Sequence, residues 1–375
     1  MLKDEEGFLY PRVDIAQCIN CGLCEKVCPI INQADSRKPL ISISAFNCDD
    51  KIRRQSSSGG IFSLFAEEVI KKGGVIFGAR FNDNWEVVHD YTDTLEGIAE
   101  FRSSKYVQSR TEDCFIKAEQ FLKQNRLVLY SGTPCQIAGL RNFLQRNYEN
   151  LITIDVICHG VPSPDVWLKY LKEEAARQCN RRKGGENLPT REKGRIHIVG
   201  ISFRDKTYGW KEYSFTLTLS DKCGKSLCYR STHEENTFMR GFLSDLYLRP
   251  SCYHCPTKEL KSGSDITIGD FWGIEHIMPQ FDDNRGLCCL IVNTERGRKF
   301  ANTINAVVHE ARYEDITRYN PSLLSSPKIP AKRKLFFTRL PKYGMLRTTM
   351  QLTREPFILR CKTSIHKTLK KIGLR

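Results

Sequence analysis

Long apolar runs are missing from this chain. No stretch approaches the ~18 consecutive apolar residues that a membrane-spanning helix needs, so no such helix is expected. Residues Met1 to Tyr10 contain no apolar h-region, so no secretory signal is expected either. Acidic side chains are also scarce: 43 Asp and Glu face 58 Lys and Arg, a net charge of +15. Much of the excess lies around Arg177 to Arg195 and from Lys332 to the end. This balance is either solvated surface or attraction to an acidic partner: a phosphorylated cofactor, an acidic electron carrier or an anionic lipid surface. No nucleic-acid-binding motif accompanies the charge, so no nucleic acid is expected.

Cysteine is plentiful, at 16 in 375 residues. In a chain without a secretory signal these read as metal ligands and buried thiols rather than disulfides, in a reducing, cytoplasmic setting. Cys18, Cys21, Cys24 and Cys28 form a C-x2-C-x2-C-x3-C-P run closed by Pro29, the ferredoxin spacing for a 4Fe–4S cluster. Zinc loops usually carry two separated C-x2-C pairs. The C-x3-C-x2-C spacing of radical enzymes is absent.

The length suggests two or three units. We divide it into a ferredoxin-type segment (1–45), an α/β part (46–165), a part with a second cysteine site (166–330) and a basic helical tail (331–375). In the tail, Phe357, Ile358, Ile365, Leu369 and Ile372 fall at rough helical intervals. They suit either an anionic membrane face or packing on the chain's own domain.

Ser57, Ser58, Gly59 and Gly60 precede an amphipathic run from Ile61 to Ile70. A Ser/Gly loop entering a helix offers free N–H groups and a positive dipole end, which suits a phosphate; ordinary capping loops look the same. Strands are expected over 74–81 and 85–91. Helices are expected over 112–124 and 136–147, and buried strands over 126–130 and 151–157. The last three make a β-α-β unit with parallel strands, so the loops holding Cys135 and Cys158 leave the same sheet edge. A helix follows over 166–178, then antiparallel strands over 196–204 and 212–219 and a helix over 235–247. Cys252 and Cys255 form a second C-x2-C closed by Pro256. With Cys135 and Cys158 they complete either a four-thiolate cluster site or a zinc site, or all four are plain thiols. Cys288 and Cys289 read as core. The fold class is therefore mixed α+β and α/β: a ferredoxin-like cluster module, then an α/β domain with a parallel β-α-β core and further antiparallel strands.

Together these motifs resemble the coenzyme F420 hydrogenase/dehydrogenase beta-subunit family. The matching residues are S-x-S-G-G at Ser56 to Gly60, S-K-Y-V-Q-S at Ser104 to Ser109, and G-T-P-C-Q at Gly132 to Gln136. C-H-G-V-P-S at Cys158 to Ser163 and the block from Cys252 to Gly273 continue the pattern. The resemblance implies a redox protein with FAD and two 4Fe–4S clusters. It exchanges electrons with a ferredoxin-like or other redox protein, and hydride with coenzyme F420 or another small organic acceptor. It implies FAD contacts from Ser57, Ser58, Gly59, Gly60, Ser104, Lys105, Tyr106 and Gln108. Asp270 is a further candidate contact for flavin or substrate. The N-terminal run is present in some members only, which makes it an added module. A pure electron-transfer subunit and a zinc-stabilised binding protein are the rival readings.

Overall fold

The computed structural model describes residues 1–182, 197–221 and 224–354. Most of the 180–194 basic loop and the membrane-facing residues proposed beyond 354 lie outside the described residues.

A hairpin of β1 (Leu2–Lys3) and β2 (Leu9–Tyr10) opens the chain. The cysteine run follows, with a single helical turn, α1 (Leu23–Lys26). The large sheet then takes β3 (Ile41–Asn47), β4 (Val75–Phe81), β5 (Val87–Thr92), β6 (Val128–Gly132) and β7 (Leu151–Val156). The chain leaves to build a three-stranded sheet from β8 (His197–Asp205), β9 (Ser214–Ser220) and β10 (Ser226–Thr232), all antiparallel. It returns with β11 (Ile266–Asp270), β12 (Cys288–Val292) and β13 (Ala306–Glu310). The order in the large sheet is β13-β3-β12-β11-β7-β6-β4-β5. β4, β6, β7 and β11 run parallel at its centre, and antiparallel strands close both sides.

Period-2 alternation explains the two covered faces. After α2 (Asp50–Gln55), Ile76 and Leu129 point to the face packed by α3 (Ile61–Lys71) and α4 (Ile98–Phe101), in a core with Phe65, Val69, Phe101 and Ile268. Val75, Phe77, Val128 and Tyr130 point to the other face. There they meet α5 (Cys114–Lys123) and α6 (Pro134–Leu144). Thr133 and Gln136 cap α6 reciprocally, and Pro134 occupies its first turn, so the helix starts at the end of β6.

The small sheet packs on α7 (Pro164–Arg182) and α8 (Thr237–Leu243) through an aromatic core of Trp167, Tyr170, Phe203, Phe215 and Phe238. The expected mixed fold with a parallel β-α-β core is present. β3, β10 and β13 have no counterpart in the sequence reading. The N-terminal segment is a hairpin, a loop and one helical turn, with none of that turn buried.

Candidate functional site

The carboxyl edge of the parallel strands carries four of the cysteines outside the N-terminal run: Cys135, Cys158, Cys252 and Cys255. Cys135 opens α6 directly after β6, and Cys158 follows β7, its hydrogen-bonded parallel neighbour. Cys252 and Cys255 come from a 3₁₀ turn, Pro250–His254, and the residue after it. These thiols sense one another. Burial pushes Cys158 well above the usual thiol range, and Cys252, Cys135 and Cys255 push it further. Cys252 is driven to about 12 by burial, against a backbone hydrogen bond from Val161 and with Cys135 and Cys255 adding. Cys135 is likewise raised by burial and by Cys255, opposed by the Thr133 hydroxyl at 3.2 Å. Cys135 keeps a solvent-exposed edge although protein surrounds it, as a side chain lining a recess does. Gly160 permits the approach of Cys252: a Cβ there would lie 3.4 Å from Cys252 Cβ and 2.8 Å from Leu248.

Cys135, Cys158 and Cys252 therefore rest as neutral thiols without a cation, and a bound cation reverses the penalty on their thiolates and makes them ligands. Among the described residues no group of three or more His, Cys, Asp or Glu side chains is gathered as for a metal ion. A single zinc with bonds of about 2.3 Å draws its four sulfurs to about 3.8 Å of one another. A four-iron cage holds its thiolates farther apart. Four thiolates suit a tetrahedral zinc and a 4Fe–4S cage alike.

The N-terminal run sits beside this edge. Pro29, Asn32, Gln33 and Ala34 share a recess of about 90 Å³ with Asn142, Pro256 and Thr257. Arg37 fastens the segment, donating to the Leu260 carbonyl at 3.1 Å and the Ser264 carbonyl at 3.3 Å. The prolines that follow Cys28 and Cys255 therefore line one small space.

The candidate flavin contacts divide into two groups. Ser57 Oγ lies 3.1 Å from Ser103 Oγ and accepts from the Ser104 N–H at 2.7 Å, so the two loops meet. Arg204 then ties Ser57, Tyr106 and Asp270 together. It donates to the Ser57 carbonyl at 3.0 Å, to Tyr106 Oη at 3.0 Å and bidentately to Asp270 at 2.8 and 3.0 Å. Trp210 Nε1 also donates to Asp270, at 2.7 Å, and stacks on Trp272. Burial lowers the Arg204 pKa, but the Asp270 carboxylate outweighs it and the net shift is upward.

The remaining candidates face elsewhere. Ser58 Oγ donates to the Leu287 carbonyl at 2.6 Å. The Gly59 N–H turns inward to Cys288 Sγ at 3.2 Å, and a Cβ on Gly59 would meet the Ala45 carbonyl at 2.5 Å. Gly60 caps α3 at φ 85°, a conformation costly for any other residue. Lys105 Nζ caps the end of α4 on the Glu100 and Arg102 carbonyls, and burial drops its pKa to about 7. Gln108 accepts from the Leu9 N–H at 3.4 Å.

The sequence reading missed Arg204, Lys206 and His89. Lys206 Nζ is held by the carbonyls of Arg53, Ser58 and Arg285, and burial lowers its pKa to about 7. His89 is buried, with its pKa pushed down to about 4. Its Nε2 faces the Ser131 carbonyl at 3.1 Å and so carries the proton, leaving Nδ1 to accept from Ser109 at 2.8 Å. Gln136 donates to the same Ser109 hydroxyl at 2.8 Å, so the 104–109 stretch connects to the residue after Cys135. No local signal marks Arg204, whose strand also carries His197, Ser202 and Asp205.

A component of the F(420)H(2) dehydrogenase of Methanosarcina mazei is 26% identical over 162 residues, 42% of this chain and 45% of that protein. The chain thus spans less than half of that relative. A solved chain of the F420-reducing NiFe hydrogenase complex of Methanosarcina barkeri aligns over 84% of this chain and 92% of its own length. Its TM-score is 0.46 and its identity 14%. The family model for the C-terminal part of the coenzyme F420 hydrogenase/dehydrogenase beta subunit matches residues 125–315, which include Cys135, Cys158, Cys252, Cys255, Arg204 and Asp270. The chain belongs to the coenzyme F420 hydrogenase/dehydrogenase beta-subunit family.

Proposed function

We propose that this protein is an iron–sulfur flavoprotein oxidoreductase. It moves electrons between a ferredoxin-like donor, two 4Fe–4S clusters and FAD, with hydride passed to or from coenzyme F420 or another small organic acceptor. The observation that carries the reading is the convergence of Cys135, Cys158, Cys252 and Cys255 from three distant segments, beside the Cys18–Cys28 run. Clusters exchange single electrons, and a flavin exchanges them singly or paired as hydride; that is the chemistry these groups supply when bound.

The chain's own residues have the following parts. Cys18, Cys21, Cys24 and Cys28 hold the outer group near the surface, where an external redox protein reaches it. Cys135, Cys158, Cys252 and Cys255 hold the inner group. The Thr133 and Thr257 hydroxyls, 3.2 and 3.3 Å from Cys135 and Cys255 Sγ, donate to those sulfurs once they are thiolates and so raise the potential of what they hold. Ser57, Ser104 and Tyr106 line the flavin, and Arg204 fixes them relative to Asp270. Neutral His89 keeps Ser109 oriented between that wall and α6. No helix among the described residues is long and apolar enough to cross a membrane.

Anaerobic purification followed by iron, acid-labile sulfide and flavin counts tests the proposal. About eight irons and eight sulfides with one FAD per chain are expected. Clusters without flavin would establish the electron-transfer subunit instead. Zinc without sulfide would establish the binding protein and remove the redox reading.

A further inference from the structure

A second recess lies at the far end of α6, about 15 Å along the helix from Cys135. It measures about 230 Å³ and is lined by Arg141, Arg146, Arg296, Gln145, Asn147 and Tyr148, with Leu144 and Leu151 as its apolar floor. No carboxylate lines it. Arg141 pairs with Asp265 at 3.2 Å, yet its Nε–H is buried without an acceptor. Arg296 spends Nη1 on the Tyr148 and Leu151 carbonyls and has no carboxylate partner among the described residues. Arg146 stacks on the Tyr148 ring at 4.2 Å and likewise has none. Three guanidiniums with one ion-paired carboxylate among them, in a concave, half-enclosed space, repel one another. Burial depresses the Arg141 pKa, Asp265 offsets part of that, and the neighbouring Arg296 and Arg37 add to the depression. The negative end of α6 relieves only about half a charge of this.

We infer that this recess is a binding site for a small phosphate-bearing anion, of about diphosphate size, distinct from the thiol and flavin sites. The planar fork of arginine matches phosphate oxygens two at a time, and the Gln145 and Asn147 amides add donors. The volume corresponds to about eight waters, which admits a diphosphate and is smaller than the roughly 300–1,000 Å³ of drug-sized pockets. Placement gives the site a consequence. The loop it orders joins α6 to β7, so the bound anion ties down the back of the unit whose front carries Cys135 and Cys158.

Calorimetric titration of the full chain with inorganic pyrophosphate tests this inference. One saturable, salt-weakened site per chain is expected, with slower amide exchange over residues 144–151 on binding. Arg146→Ala should weaken binding about tenfold, and Arg146→Lys should recover part of it. Arg146 is exposed and holds no backbone group, so this variant keeps its fold even where Arg296→Gln does not. Arg318→Ala, an exposed arginine on another helix, should leave affinity unchanged. Absence of pyrophosphate binding, or equal weakening by Arg146→Ala and Arg318→Ala, overturns the site.

Discussion

The two cysteine sets solve the same problem in opposite ways. The outer run closes its loop with local spacing alone: four thiols within eleven residues, three of them exposed, around a helical turn with no buried residue. Ile15 and Ile19 beside it are 87% and 85% exposed. The inner set spans 121 positions, from 135 to 255, and its geometry exists only because β6 and β7 are parallel neighbours and the 250–255 turn docks against them. The outer site is thus built by sequence and the inner one by topology. The family match follows the same line, since residues 125–315 contain the inner set and omit the outer.

The largest expected difference is in thiol reactivity. In chain freed of iron by anaerobic chelation, Cys252, with its pKa at about 12, should be a thiolate about a thousandfold less often at pH 8 than an ordinary cysteine. Iodoacetamide followed by peptide mapping should label Cys18, Cys21 and Cys24 first, and the Cys252 rate should climb about tenfold per pH unit up to about pH 12. Equal labelling of both sets would remove the contrast.

The buried side of the comparison extends to Arg204. Arg204→Ala leaves the partly exposed Asp270 carboxylate with Trp210 as its remaining side-chain partner, a loss of about 3 kcal/mol, the lower end for breaking a buried pair. Denaturant unfolding should show that loss, and Arg204→Lys should restore less than half, because an ammonium cannot donate bidentately while also reaching Tyr106 and Ser57. An Arg204→Ala protein of wild-type stability would mean that the pair does not hold the two sheets together.

How much of this could be read from sequence follows from the range of each interaction. The outer spacing is local and stands in plain view. The parallel pair follows from two buried runs and the helix between them, and it put Cys135 and Cys158 at one edge. Arg204 and Asp270 lie 66 positions apart, and nothing local in either marks the other. Cys288 was read as core and is buried, but its thiol also faces the Gly59 N–H at the start of α3, a contact that appears only when β12 passes beneath that loop. β10 was missed because its alternation is between exposed and half-exposed residues, with little apolar signal.

pH separates the regions more gently. Burial lowers the pKa of Lys206 to about 7 from an unfolded value near 10.5. Between those values the unfolded chain binds the extra proton, so stability rises with pH from about 7 toward 10 and the cost of the buried ammonium is greatest below 7. Because Lys206 is partly accessible, the gain should be a modest fraction of the full linkage slope. Lys206→Met should flatten the unfolding profile over pH 7–9, whereas serine at all four outer cysteines should leave its shape alone.

The smallest expected change in stability belongs to the outer run itself. Serine at Cys18, Cys21, Cys24 and Cys28 removes no packed atom from either core, so the iron-free fold should shift by no more than about 0.5 kcal/mol. Arg37 and its carbonyl partners keep the segment docked without the metal. Iron should fall by about half and flavin should remain. Dithionite should still bleach the flavin, while a reduced ferredoxin-like protein should not, as the proposed entry through the outer thiols requires. Loss of all iron and flavin in this variant would mean that the two sites fold as one unit, and the division between local and topological construction would fail.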